Sequence, residues 1–170
     1  MSSVYERELR AYLEGDQASI ASFTKAWDEE NRAKAMRCVE KPFLVVRAAG
    51  SMGADLVAVR ESLSFLVEVK SSKERLLHFS DAQRLVEQLE EIRTGCSRAG
   101  VLPLYAYRLK NVRGADAWRM FTLDGMNLDG RPGLLYRNLP KMERTAKGFP
   151  VLRWENGQPL GSFLEFVTSL

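Results

Sequence analysis

Along the first forty residues, apolar positions recur at helical spacing. Tyr5, Leu9, Tyr12 and Leu13 fall on one face of a helix that Ser3-Val-Tyr-Glu6 opens and Gly15 ends. Residues 17–40 read as one or two further helices, with Ile20, Phe23 and Trp27 on one face, Met36 and Val39 extending it, and Pro42 closing the region. The period then changes. Residues 43–47 read as a short buried strand, and residues 48–54, with Gly50 and Gly53, as a flexible loop. Two apolar runs follow, 56–59 and 63–67, and both read as strands joined by a turn at Arg60-Glu61-Ser62. Ser80-Asp-Ala-Gln83 begins another helix, with Leu85, Val86, Leu89 and Ile92 inside and Gly95 to Gly100 at its end. Residues 101–109 and 118–123 are strands, and Tyr105 and Tyr107 share one side of the first. Residues 124–153 read as loop-rich, Asn156-Gly157 as a tight turn, and Ser162-Phe-Leu-Glu165 as the start of a last helix ending at Leu170. The order predicts an α/β domain with a mixed sheet. No repeat or low-complexity tract interrupts it.

Composition narrows the chemistry. At 170 residues the chain is one domain, or one domain with an appendage. No segment approaches the length of a membrane span, and the start lacks a basic residue run followed by an apolar one. A cytoplasmic location is expected. Cys38 and Cys96 have no metal-ligand spacing and His78 is the sole histidine, which leaves almost no room for zinc sites or histidine triads. His78 itself reads as a solvated loop residue. Catalysis must then rest on carboxylates, lysine or hydroxyls. The net charge of +3 permits nucleic acid as a partner without requiring it. Residues 14–30 hold Glu14, Asp16, Asp28, Glu29 and Glu30 against Lys25, and residues 131–153 hold Arg131, Arg137, Lys141, Arg144, Lys147 and Arg153 against Glu143. A polyanion would meet the second region.

One constellation stands out. Asp55 precedes the first apolar run, and Glu68-Val69-Lys70 ends the second. Side chains alternate along a strand, so Glu68 and Lys70 share a face and Val67 and Val69 point the other way. Two acids on neighbouring strands can hold a hard divalent cation, with the lysine beside its bound water. Apolar neighbours put these groups at the edge of a core, where charge is costly unless paired or bound to metal. A plain surface pair between Glu68 and Lys70 is the other reading, and the pattern alone does not choose.

With its elements in this order, the chain resembles the archaeal Holliday junction resolvases of the PD-(D/E)XK nuclease superfamily. The matching pieces are Tyr5-Glu6-Arg7-Glu8-Leu9, Val45-Val46-Arg47-Ala48-Ala49-Gly50-Ser51 leading into Asp55-Leu56-Val57-Ala58, Val67-Glu68-Val69-Lys70-Ser71, Pro103-Leu104-Tyr105-Ala106 and Trp118-Arg119-Met120-Phe121. The resemblance covers about residues 4–13 and 43–122. It implies a restriction-endonuclease-like mixed sheet flanked by helices, forming a nuclease domain over residues 1–123. Within that domain residues 15–42 would be a helical insert longer than usual, and residues 124–170 a basic C-terminal extension packed on the same domain.

The resemblance also implies roles. Asp55 and Glu68 would bind Mg²⁺ directly, the Val69 carbonyl would be a third ligand, and Lys70 would orient the attacking water or stabilise the transition state. Glu6 would approach the metal directly or through water. Ser3-x-x-Glu6 is also a capping box, which alone could explain that residue. Ser51 would position the scissile phosphate, or be a turn residue between glycines. Arg7 and Arg47 would contact DNA phosphates. Gln83 stands at capping-box spacing from Ser80 and is left out of the catalytic set. The substrate implied is a four-way DNA junction, cut by a homodimer whose two sites match the junction's own two-fold axis. Another PD-(D/E)XK endonuclease (flap, repair or restriction type) and a non-catalytic DNA-binding scaffold are the competing readings.

Overall fold

Ser3 sets the first helix. Its hydroxyl accepts the Glu6 N–H at 3.0 Å, and Gly15 closes the helix Val4–Glu14 (α1) by donating to the Ala11 and Tyr12 carbonyls. The computed structural model describes residues 3–79 and 82–170, with the side chains of Ser51 and Ala82 outside that description. The helix start read at Ser80, and with it the cap proposed for Gln83, therefore lies outside the described residues. Two short helices follow α1, each begun by an aspartate. Asp16 accepts from Ser19 at the start of Gln17–Phe23 (α2), and Asp28 from Asn31 at the start of Glu29–Ala35 (α3). Much of the acidic charge of residues 14–30 thus serves as helix caps, and Glu14 pairs with Arg10 at 2.8 Å.

The strands are β1 (Leu44–Arg47), β2 (Leu56–Arg60), β3 (Leu63–Ser72), β4 (Leu76–His78), β5 (Leu102–Leu109), β6 (Trp118–Phe121), β7 (Glu143–Arg144), β8 (Pro150–Arg153) and β9 (Gln158–Pro159). Six of them form one sheet in the order β1-β2-β3-β5-β6-β9, and β4-β8-β7 form a second. β1, β2 and β3 run as an antiparallel meander, and β3 pairs with β5 in parallel. A parallel pair needs a long crossover, which the helix Ala82–Ala99 (α4) supplies. Helices Gly130–Asn138 (α5) and Leu160–Ser169 (α6) complete the chain. β5 is buried along nearly its whole length. Leu63, Phe65 and Val67 turn one face of β3 inward, where Phe65 meets Phe43 at 5.0 Å and Phe163 of α6 at 5.8 Å. No helix among the described residues is long and apolar enough to cross a membrane.

The insert and the C-terminal helix meet each other. α3 packs on α6, Arg37 pairs with Glu165 at 3.3 Å, and Lys41 and Arg60 donate to the Thr168 and Val167 carbonyls at 3.0 Å. Two cations therefore cap the last turn of α6.

Several sequence expectations need correction. Residues 124–153 are not mainly loop: they hold α5, β7 and β8. Gly130-Arg-Pro-Gly133 reads as a breaker, yet Pro132 sits in the first turn of α5, where a missing N–H costs nothing. The strand expected at residues 43–47 is the edge strand β1, in which only Val45 is buried, since Leu44 and Val46 are 71% and 51% exposed, while Phe43 just before it lies in the core. Val86 is exposed rather than inside, and α4 runs through Gly95 to Ala99. α6 starts at Leu160, two residues before Ser162. His78 belongs to a strand, β4, although its side chain is exposed.

Asn156-Gly157 does turn the chain, through a short 3-10 helix, but Gly157 has φ −80° and needs no left-handed freedom. Glycine is required there by crowding: a Cβ would lie 2.5 Å from Arg119 Cβ and 2.6 Å from Phe121 Cζ. Gly157→Ala should destabilise the fold by about 1–3 kcal/mol through overpacking. Urea unfolding should show a lower midpoint at unchanged slope.

Candidate active site

The β2–β3 hairpin brings the acids together. The ladder ends where the Asp55 N–H donates to the Val67 carbonyl at 2.8 Å. One step further, the Asp55 side chain takes over: its Oδ2 accepts the Val69 N–H at 2.7 Å. A strand residue points its N–H and C=O the same way, so the Val69 carbonyl also faces the Asp55 side of β3. On the neighbouring face, Glu68 Oε1 receives Lys70 Nζ at 2.9 Å. Glu68 Oε2 is buried and has no hydrogen-bond partner. An orphaned carboxylate oxygen in a core edge is costly and marks a place for a cation or water.

Burial pushes the Asp55 carboxyl up, the Val69 N–H pulls it down, and the Glu6 charge raises it again, with Lys70 and Arg47 lowering it. Burial likewise raises Glu68, Lys70 lowers it, and Asp55 adds repulsion. The field of Glu6 thus reaches Asp55 from α1, and Glu6 Oε2 itself lies 3.8 Å from Arg47 Nε at the end of β1. Five of the residues singled out in the sequence (Glu6, Arg47, Asp55, Glu68 and Lys70) therefore meet in one cluster. Ser51 begins the 3-10 turn Ser51–Gly53 in the adjoining loop. That loop is held by Gly50 N–H to Ala54 C=O and Gly53 N–H to Gly50 C=O, and it puts Ala49 and Met52 at φ 53°. Left-handed conformations at two non-glycine residues store strain of the kind found at functional loops. Arg7 stands apart. It lines an exposed groove between α1 and α2 with Glu8, Asp16 and Phe23.

Among the described residues no three His, Cys, Asp or Glu side chains group at metal-binding distances. Two carboxylates, one of them with a bare oxygen, and a carbonyl on the same side still fit Mg²⁺, which keeps several waters and takes one or two carboxylates. Glu8, though part of the quoted first-helix motif, is structural: it accepts from Arg108 Nε at 3.1 Å and from the Trp118 indole at 2.9 Å.

Sequence reasoning missed the wall opposite Glu68 and Lys70. A pocket of about 300 Å³ lies there, lined also by His78, Phe79, Arg84 and Gln88. Of the two α4 glutamines, Gln88 lines this pocket and Gln83 is exposed. Gln88 also packs on the loop, since a Cβ on Gly53 would sit 2.3 Å from its Nε2. The available signal was register: Arg84 and Gln88 are one turn apart and border the inward stripe Leu85, Leu89 and Ile92.

The raised carboxyls fix a pH dependence. In metal-free protein the folded state binds protons on Asp55 and Glu68 more readily than the unfolded chain does. That contribution to stability is complete below the ordinary carboxylate range and is lost as pH rises through the folded values. Glu68→Gln should therefore raise Tm at pH 7 by about 2–4 °C, the shift that 1 kcal/mol gives in a chain of this size. The gain should vanish below about pH 4, measured by calorimetry in EDTA.

The solved structure of Hjc from Archaeoglobus fulgidus, a Holliday junction resolvase from an archaeal hyperthermophile, aligns at 22% identity and TM-score 0.49, covering 82% of this chain and 99% of that one. No curated protein matches the chain. The family model described as archaeal Holliday junction resolvase (Hjc) matches residues 28–136, a span that takes in Arg47, Ser51, Asp55, Glu68 and Lys70 and leaves out Glu6 and Arg7. With well over half of its length in that match, the chain belongs to the archaeal Holliday junction resolvase family.

Proposed function

We propose that this protein is a metal-dependent endodeoxyribonuclease that resolves four-way DNA junctions. The observation that carries the reading is the bare Glu68 Oε2 beside the tethered Asp55 carboxylate, within the stretch that matches the resolvase family. Asp55, Glu68 and the Val69 carbonyl would hold Mg²⁺, with Glu6 reaching it through water. Bound there, the ion would lower the pKa of a water and neutralise charge on the scissile phosphate. Lys70, held by Glu68, donates to the attacking water or to a phosphate oxygen as charge develops. Ser51 and Arg47 orient the phosphate from the loop and the end of β1. Nothing among the described residues offers a base-reading helix, so the junction is recognised by branch shape and backbone phosphates. Affinity should fall steeply with salt as counterions are released.

A homodimer fits the task, since two symmetric cuts need two sites. Leu44, Val46 and Val59 lie exposed across β1 and β2, with Leu44 directly opposite Val59. An uncovered apolar face on an edge strand supports an isologous contact with a second copy.

The test is cleavage of a labelled four-way junction beside a linear duplex in Mg²⁺. Asp55→Ala, Glu68→Ala and Lys70→Ala should each lower junction cutting by about 10³-fold or more while binding persists. Cutting of both substrates by the unaltered protein would keep the chemistry and remove the junction selectivity. Binding without cutting would point to a scaffold. Separately, Val46→Glu should convert the protein to monomer by light scattering and replace paired nicks with single ones. An unchanged mass would place the dimer contact elsewhere.

A further inference from the structure

The reaction above leaves part of the active-site groove without a role. Across the pocket from Glu68 and Lys70 stand His78 from β4 and Arg84 from α4, both exposed. This wall is held by elements beyond residue 136, outside the family match. β8 pairs with β4 at Leu76↔Arg153, Leu77↔Leu152 and His78↔Val151. The Trp154 N–H donates to the Arg75 carbonyl at 2.8 Å, the Trp154 indole donates to the Ala117 carbonyl at 2.9 Å, and the Arg75 guanidinium lies 5.1 Å over the indole ring. The extension thereby fixes a three-residue strand that would be marginal alone.

We propose that this pocket binds a DNA backbone phosphate next to the scissile one, with His78 and Arg84 as its donors. The inference rests on the nuclease reading. Four nitrogen-bearing side chains, Lys70, His78, Arg84 and Gln88, arrive from three different elements and line one open concavity. Among the described residues that line it, Glu68 is the carboxylate, and Lys70 engages it. An imidazole offers an N–H in either neutral tautomer, and a guanidinium offers a fork that matches phosphate oxygens. The pocket suits a phosphate better than a stacked base. Its phenyl ring, Phe79, is half-buried and already faces Lys70 Nζ at 5.4 Å.

Junction binding measured in EDTA across a salt series tests this without cleavage. His78→Ala and Arg84→Ala should each weaken binding by about 5- to 10-fold with unchanged Tm, and Arg84→Ala should lower the slope of log Kd against log salt by about 1. Arg84→Lys should keep the slope and lose part of the affinity. If the unaltered protein binds and cuts junctions and both alanine variants match it in affinity and slope, the subsite is overturned and the nuclease reading stands. If the unaltered protein neither binds nor cuts junctions, both fall together.

Discussion

The hydrogen bond from the Val69 N–H to the Asp55 carboxylate is what the candidate site depends on. It continues the β2–β3 ladder by one step with a side chain in place of a main-chain carbonyl. Asp55 is thereby held beside Glu68 without a second side chain to brace it. The arrangement is costly. Two half-buried acids repel each other, Glu6 adds to the repulsion on Asp55, and Lys70 and Arg47 relieve only part of it. Removing one partner from such a cluster leaves charge uncompensated, whereas a divalent cation balances it. The cost is local to the hairpin and the loop of residues 48–54.

Charge elsewhere is mostly settled within the fold. The basic residues of 131–153 suggested a DNA-facing surface, yet Arg131 pairs with Glu61 at 2.8 Å and Arg144 with Asp124 at 3.2 Å. Lys141 donates to the Tyr136 and Leu139 carbonyls and lies over the Tyr136 ring, so it caps α5, and burial pushes its ammonium below the usual lysine range. What this segment gives the site is architecture, by way of β8, more than positive potential.

The β2–β3 hairpin was legible because its two apolar runs flank a short turn, and the acids were legible because they end those runs. Asp55, Glu68 and Lys70 needed no contact across more than one hairpin to be placed. Glu6 and Arg47 were legible only through the quoted family motifs, since periodicity says nothing about which way α1 faces the sheet. β4 and β8 were not legible at all. Each is too short for a period to show, and their pairing joins residues some 75 apart in sequence. α5 was hidden by Gly and Pro in its first turn, where they are harmless. The meeting of His78 with Lys70 follows from these long-range contacts, so the one histidine looked like a solvated loop residue.

The β4–β8 pairing also bears on the order in which the protein is made. Asp55, Glu68 and Lys70 leave the ribosome first, and β8 and Trp154 follow about 80 residues later. During synthesis from the N-terminus, the hairpin can form while the strand that steadies His78 is still inside the exit tunnel. The pocket wall therefore closes after the acids are in place. A nascent chain carries its acids long before it has a finished groove, which ties full assembly of the groove to the emergence of β8.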